Sequence, residues 1–179
     1  MTQENKLSSD AMKVNFYGAA GNVTGSSYVL ECKNSKLLID CGLYQERQFQ
    51  DRNWNTFPFD ARNITAVLLT HGHLDHCGLI PKLFKEGFKG KIYGTKATLQ
   101  IAQIILNDSA KIQEEDANAK IKRHKKENRT TKHLPQPLYT KEDVDLAFKH
   151  TKVVTYQEII QVSPDFHVQY INTGHIIGS

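Results

Sequence analysis

Nowhere in the 179 residues does an apolar run approach the roughly 20 residues needed to cross a bilayer. The opening stretch Met1 to Lys13 is polar and carries no apolar segment of signal-peptide length. A cytoplasmic protein with no membrane partner is the expectation. Cysteine is scarce as well: Cys32, Cys41 and Cys77 are too few and too irregularly spaced for a disulfide framework, and none sits in a paired zinc-knuckle spacing. Reduced thiols follow, with Cys41 and Cys77 in packing roles. Internal repeats and extended low-complexity segments are missing, which excludes solenoids and propellers. The glycine-rich stretch Gly18 to Gly25 lacks the Gly-Lys-Ser/Thr ending of a phosphate loop and reads instead as a tightly packed turn.

Charge is only mildly unbalanced. A net charge of +4 suits a polyanionic partner but falls short of proteins that coat nucleic acid. Its distribution says more, because Lys120, Lys122, Arg123, Lys125, Lys126, Arg129 and Lys132 crowd one stretch with few acids. That stretch is either a solvated surface loop or a phosphate-contacting loop. In the second case Lys122, Arg123, Lys125 and Lys126 are the candidate nucleic-acid-binding residues.

With 39% hydrophobic residues the chain has material for a real core. One domain is predicted over residues 13–179, behind a flexible N-terminus at 1–12. Apolar runs at Val14 to Tyr17, Ser27 to Leu30, Lys36 to Ile39 and Ala66 to Thr70 read as strands. Ile92 to Tyr93, Val153 to Thr155 and Phe166 to Ile171 are shorter candidates, the last preceded by a Ser163-Pro164-Asp165 turn. Helices are predicted from about Gly78 to Glu86, and from Thr95 through Ser109 and Ile112 before fraying into the basic stretch. A third follows a Thr140 cap, with Val144, Ala147 and Phe148 inward. Leu134-Pro135-Gln136-Pro137-Leu138 joins the last two as a rigid connection.

The strongest signal follows the apolar strand Ala66 to Thr70. His71-Gly72-His73-Leu74-Asp75-His76 places three imidazoles and a carboxylate within six residues. These are donors that zinc accepts, and a strand followed by a sharp turn can aim them at one place. Neutral imidazoles leave the charge of a cation intact, so bound water stays acidic, while Asp75 adds a negative charge where a second cation would sit. Asp40 stands where Lys36 to Ile39 leaves the sheet, placed to orient a ligand imidazole. With Asp75 it forms the pair of candidate catalytic carboxylates. His175 lies in a small-residue turn, where Gly174 would let the backbone approach closely. Taken alone, a histidine in such a turn is more often structural than a ligand. Histidines 124, 133, 150 and 167 show no ligand spacing.

The chain resembles the β-CASP branch of the metallo-β-lactamase superfamily, a group of RNA-processing nucleases. The resemblance runs through Gly18 to Ser26, Leu38 to Gly42, Thr70 to Leu83, Gly87 to Tyr93, Asp108 to Glu115, Pro137 to Thr140 and Gly174 to Ser179. It implies an α/β (α+β) fold of the αββα sandwich type, present here as the first sheet with its flanking helices and the start of the second sheet. It further implies two Zn2+ ions, with His71, His73 and His175 on the first, Asp75 and His76 on the second, and Asp40 as a supporting aspartate. The implied activity is hydrolysis of RNA phosphodiester bonds by a metal-bound hydroxide. An ester or thioester hydrolase of the glyoxalase type and a non-catalytic RNA-processing scaffold subunit are the alternatives. The family's bridging aspartate, distal histidines and β-CASP domain have no counterpart in these residues. The chain therefore reads as an N-terminal portion, expected to be inactive alone, to expose apolar surface and to self-associate, for instance as a homodimer.

Overall fold

The computed structural model describes residues 11–127 and 135–179. Most of the predicted N-terminal tail, together with Arg129, Lys132, His133 and Leu134, lies outside the described residues. A six-stranded sheet runs in the order β1 (Lys13–Gly18), β2 (Ser27–Cys32), β3 (Ser35–Ile39), β4 (Ala66–Leu68), β5 (Lys91–Thr95), β6 (Thr151–Val154). The first three strands pair antiparallel, whereas β3 through β6 pair parallel. Each parallel step moves the same way across the sheet. Crossovers of one hand therefore set the helices on one face: α1 (Leu74–Cys77) and α2 (Ile80–Lys85) between β4 and β5, then α3 (Lys96–Lys126) and α4 (Lys141–Phe148) between β5 and β6.

Alternation along the strands separates two apolar layers. Leu38, Val67, Leu69 and Ile92 face the helices and pack with Ile80, Leu83, Leu106 and Val144. Leu37, Ala66, Leu68 and Tyr93 face the other way, against the antiparallel hairpin of β7 (Ile159–Ser163) and β8 (Phe166–Gln169). Parallel strands covered on both sides are expected to be apolar throughout, as the central strand β4 is. Ser35 ties the hairpin to the sheet by donating to Asp165 at 2.7 Å. The architecture is helices, mixed sheet and hairpin in three layers, the α/β arrangement expected from the sequence.

Two expectations need correction. Residues 120–126 are not loop: α3 continues without a break to Lys126. Lysine and arginine dominate this part, with Ile121 and His124 between them; no glycine or proline interrupts it, and such residues propagate a helix already nucleated. The buried stripe of α3 also differs from the run Thr98, Ile101, Ala102, Ile105, Ser109 and Ile112 that recurs at helical spacing in the sequence, sharing only Thr98 and Ala102 with it. It runs through Thr98, Leu99, Ala102, Leu106, Ala110 and Ala117, leaving Ile112 50% exposed. Strand β7 went unforeseen, because in Ile159-Ile160-Gln161-Val162-Ser163 the outward positions include Ile159 and so blur the alternation. No helix among the described residues is long and apolar enough to cross a membrane.

The expected cap of α4 is complete. Thr140 accepts from the Asp143 amide while the Asp143 carboxylate accepts from the Thr140 amide. Replacing Thr140 with alanine removes one half of this reciprocal pair and should cost about 1 kcal/mol. A urea titration that moves the unfolding midpoint by less than its own error would refute this.

Candidate metal centre

Strand β4 delivers Thr70 and His71 to the edge of the sheet, and the short helix α1 carries Leu74 to Cys77. A four-residue helix is too short to hold itself, and its carbonyls are taken up by neighbours. Ser26 donates its amide to Asp75, Cys41 to His76 and Leu43 to Leu74, at 2.9, 2.8 and 3.1 Å. Gly42 makes this clamp sterically feasible, since a Cβ there would lie 1.7 Å from the Asp75 carbonyl oxygen. The Gly18 to Ser26 turn thus packs beside the histidine loop, as read from the sequence.

Inside the clamp sits Asp40, only 2% exposed and in the left-handed region at φ 58°. Its carboxylate accepts from the Thr70 amide at 2.9 Å and from the Thr70 hydroxyl at 2.8 Å, and lies 2.7 Å from His76 Nδ1. The Thr70 hydroxyl also lies 3.0 Å from His71 Nδ1. The hydroxyl proton goes to the carboxylate, so the oxygen accepts from His71 Nδ1–H. One buried carboxylate consequently fixes two imidazoles through Nδ1, one by way of Thr70 and one directly, so that in the neutral form of each ring Nε2 carries the lone pair. Asp40 acts on the site through these two rings.

The free nitrogens converge. His71 Nε2 lies 3.0 Å from His73 Nδ1, and His175 Nε2 lies 3.4 Å from that same nitrogen. One ligand atom from each of His71, His73 and His175 falls within 4.8 Å of the others. Two nitrogens bound to one tetrahedral zinc at about 2.05 Å stand about 3.3 Å apart, so this donor set fits a divalent cation. Asp75 and His76 form a separate pair, with His76 Nε2 3.6 Å from the Asp75 carboxylate, and the His71 and His76 rings are 4.0 Å apart. Burial pushes the His71 imidazolium down to a pKa of about 4, reinforced by the nearby charge of His76, so the ring is neutral. At His76 burial also opposes charge, but the Asp40 hydrogen bond and the charges of Asp40 and Asp75 outweigh it and raise the pKa.

His175 is brought in from the far end of the chain by an anchored turn. Thr95 and Thr98 donate their hydroxyls to the Gly178 carbonyl at 2.8 and 2.9 Å. Tyr156 donates to the Ser179 carbonyl at 2.9 Å, and the Ser179 hydroxyl accepts from the His175 amide at 3.1 Å. Gly174 serves by its positive φ of 72° and not by the close approach expected of it, since nothing lies within 4 Å of where its Cβ would be. These anchoring hydroxyls were missed in the sequence, where Thr95 registers only as the start of a helix. Lys122, Arg123, Lys125 and Lys126 are exposed on the last turns of α3, apart from the histidine cluster. Cys41 and Cys77 are fully buried and their thiols are pushed far up by burial, in keeping with packing roles.

Comparison with known proteins defines the class. Residues 20–164 match the model of the metallo-β-lactamase superfamily, and the chain belongs to that family. Membership implies a divalent metal and a hydrolase, in agreement with the donor set. Ribonuclease TTHA0252 of Thermus thermophilus is 34% identical over 168 residues, covering 94% of this chain and 34% of that protein. Transcription termination factor FttA of Methanocaldococcus jannaschii is 31% identical over 171 residues, covering 94% of this chain and 24% of that protein. Among solved structures, the metallo-β-lactamase fold protein YhfI from Bacillus subtilis is 20% identical, covers 86% of this chain and 49% of its own, and has a TM-score of 0.43. The chain spans about a third of the length of the first of these curated relatives and about a quarter of the second.

Proposed function

We propose that these residues are the metal-binding portion of a zinc-dependent ribonuclease of the β-CASP branch, hydrolysing RNA phosphodiester bonds. The observation that carries the reading is the convergence of the His71, His73 and His175 nitrogens. The resemblance to a ribonuclease supplies the substrate class. His71, His73 and His175 would hold one zinc ion, with Asp75 and His76 contributing to a second. Bound there, the metal supplies Lewis acidity toward a phosphoryl oxygen and toward water.

The protein's own groups prepare for that chemistry. Asp40 holds the Nδ1 protons of two rings in place, directly and through Thr70, so their Nε2 atoms present lone pairs without reorganisation. Burial keeps His71 neutral, removing a competing proton. Asp75 sets a carboxylate against His76, where its negative charge would offset that of a second cation. Asp75 and His76 are fewer donors than the three a catalytic zinc needs, so the 179 residues alone should hold one ion tightly and turn over little. Exposed Ile159, Ile171 and Ile177, each at least 67% accessible, favour self-association of this chain.

The decisive assay offers the natural full-length protein, with and without a chelator, both end-labelled RNA and a panel of thioesters. RNA cleavage lost on chelation and restored by zinc is the expected outcome. Thioester turnover with intact RNA would assign the same centre to acyl transfer, and binding of RNA without cleavage would make the protein a scaffold.

A further inference from the structure

Two adjoining grooves of about 530 and 500 Å³ run along α3, and Trp54 and Gln113 line both, so they form one continuous channel. One end reaches Leu74, the residue before Asp75, and Asp108. The other reaches Lys120 and Pro135 to Pro137. From Asp108 to Lys120 the helix rises about 18 Å, the length of a few nucleotides. Trp54 is the single tryptophan of the chain, and it stands 58% exposed at the junction. A large aromatic left in water at the mouth of a groove marks a contact surface.

We propose that this channel is a track for single-stranded RNA, with a base stacked on Trp54 and the backbone running toward the basic end of α3. The proposal rests on the ribonuclease reading and names where its substrate lies. Charge decides the occupant and its orientation. Lys120, Lys122, Arg123, Lys125 and Lys126 occupy seven consecutive residues without an acid, and none pairs with a carboxylate among the described residues. They form a polyanion contact at one end. Asp108 and Asp116 line the channel and would repel phosphates laid into it, so the bases turn inward and the phosphates outward. Gln45 and Gln50, both exposed in this lining, offer side-chain amides to base edges there. A duplex, whose phosphates lie outside its bases, meets the acids first and is disfavoured. Stacking on an aromatic side chain tolerates any base, so the track favours strandedness over sequence.

The lone tryptophan makes the test direct. The 179-residue chain, held in chelator to prevent cleavage, is titrated with a fluorescein-labelled 15-nucleotide oligouridylate and with a 15-base-pair RNA duplex, reading label anisotropy and tryptophan emission. The expected result is quenching of Trp54 by the single strand, weaker binding of the duplex, and an affinity loss of about 5- to 150-fold in Trp54→Ala. Trp54→Phe should recover most of that loss, and Lys122→Ala with Lys125→Ala should flatten the salt dependence of binding. Trp54 is exposed, and circular dichroism melts verify that its variants fold. Equal binding by wild type and Trp54→Ala, with unquenched emission, overturns the track while leaving the hydrolase reading standing. If Trp54→Ala changes the sedimentation of the chain but not its RNA affinity, the groove seats polypeptide and the proposal fails. The hydrolase reading falls separately, if zinc-loaded full-length protein leaves RNA intact.

Discussion

Asp40→Ala should lower the unfolding free energy of the metal-free chain by about 3 kcal/mol, a drop in melting temperature of roughly 6–12 °C for a protein of this size. The carboxylate is 2% exposed and takes four hydrogen bonds, from the Thr70 amide and hydroxyl, His76 Nδ1 and, at 3.4 Å, the Ser26 hydroxyl. Truncation strands these donors in a site too enclosed for water to replace every bond, so the penalty is desolvation without compensation. Backbone strain adds to it. Asp40 adopts φ 58°, which aspartate and asparagine tolerate better than alanine. The two contributions can be separated by comparing variants. Asp40→Gly loses the same hydrogen bonds but not the backbone tolerance, and should melt above Asp40→Ala by the equivalent of about 1 kcal/mol. Asp40→Asn keeps one acceptor for Thr70 and should fall between wild type and both. Melting of Asp40→Ala within a degree of wild type would show that the network around Thr70 and His76 contributes nothing to stability.

The parts of this protein that were legible in the sequence are those governed by local rules. Strands β1 to β5 were readable because apolar runs stop at turn residues, and the cap of α4 because Thr140 and Asp143 stand three apart ahead of Val144. The histidine motif was readable because its donors are adjacent in the chain. What was not legible depends on distant partners. The Thr95 and Thr98 hydroxyls that hold Gly178 act across 83 and 80 residues and leave no spacing in the sequence. Helix α3 misled for a different reason. Its basic end looks like a solvated loop, and only its continuity with a nucleated helix decides otherwise. Trp54 drew no notice in the sequence because exposure, not residue type, makes it a contact surface.

Removal of a convergent imidazole should have the opposite signature to removal of Asp40. His73→Ala deletes the ring whose Nδ1 faces His71 Nε2 at 3.0 Å and His175 Nε2 at 3.4 Å. Crowded nitrogens without a cation between them add little to the metal-free fold, and His73 is only partly buried. The metal-free variant should therefore melt within about 2 °C of wild type, in the range of ordinary surface substitutions. Zinc affinity is where the change appears. Loss of one of three imidazoles removes more than an outer-shell partner does, so the affinity should fall by more than about a hundredfold. Melting curves at rising zinc make this visible, because a ligand at 100 times its dissociation constant stabilises the folded state by about 2.7 kcal/mol. Wild type should climb by several degrees while His73→Ala and His175→Ala stay flat. His167→Ala, in β8 away from the cluster, should follow wild type. A His73→Ala chain with the full zinc-induced rise would mean that the cation sits elsewhere, and the proposed chemistry would lose its centre.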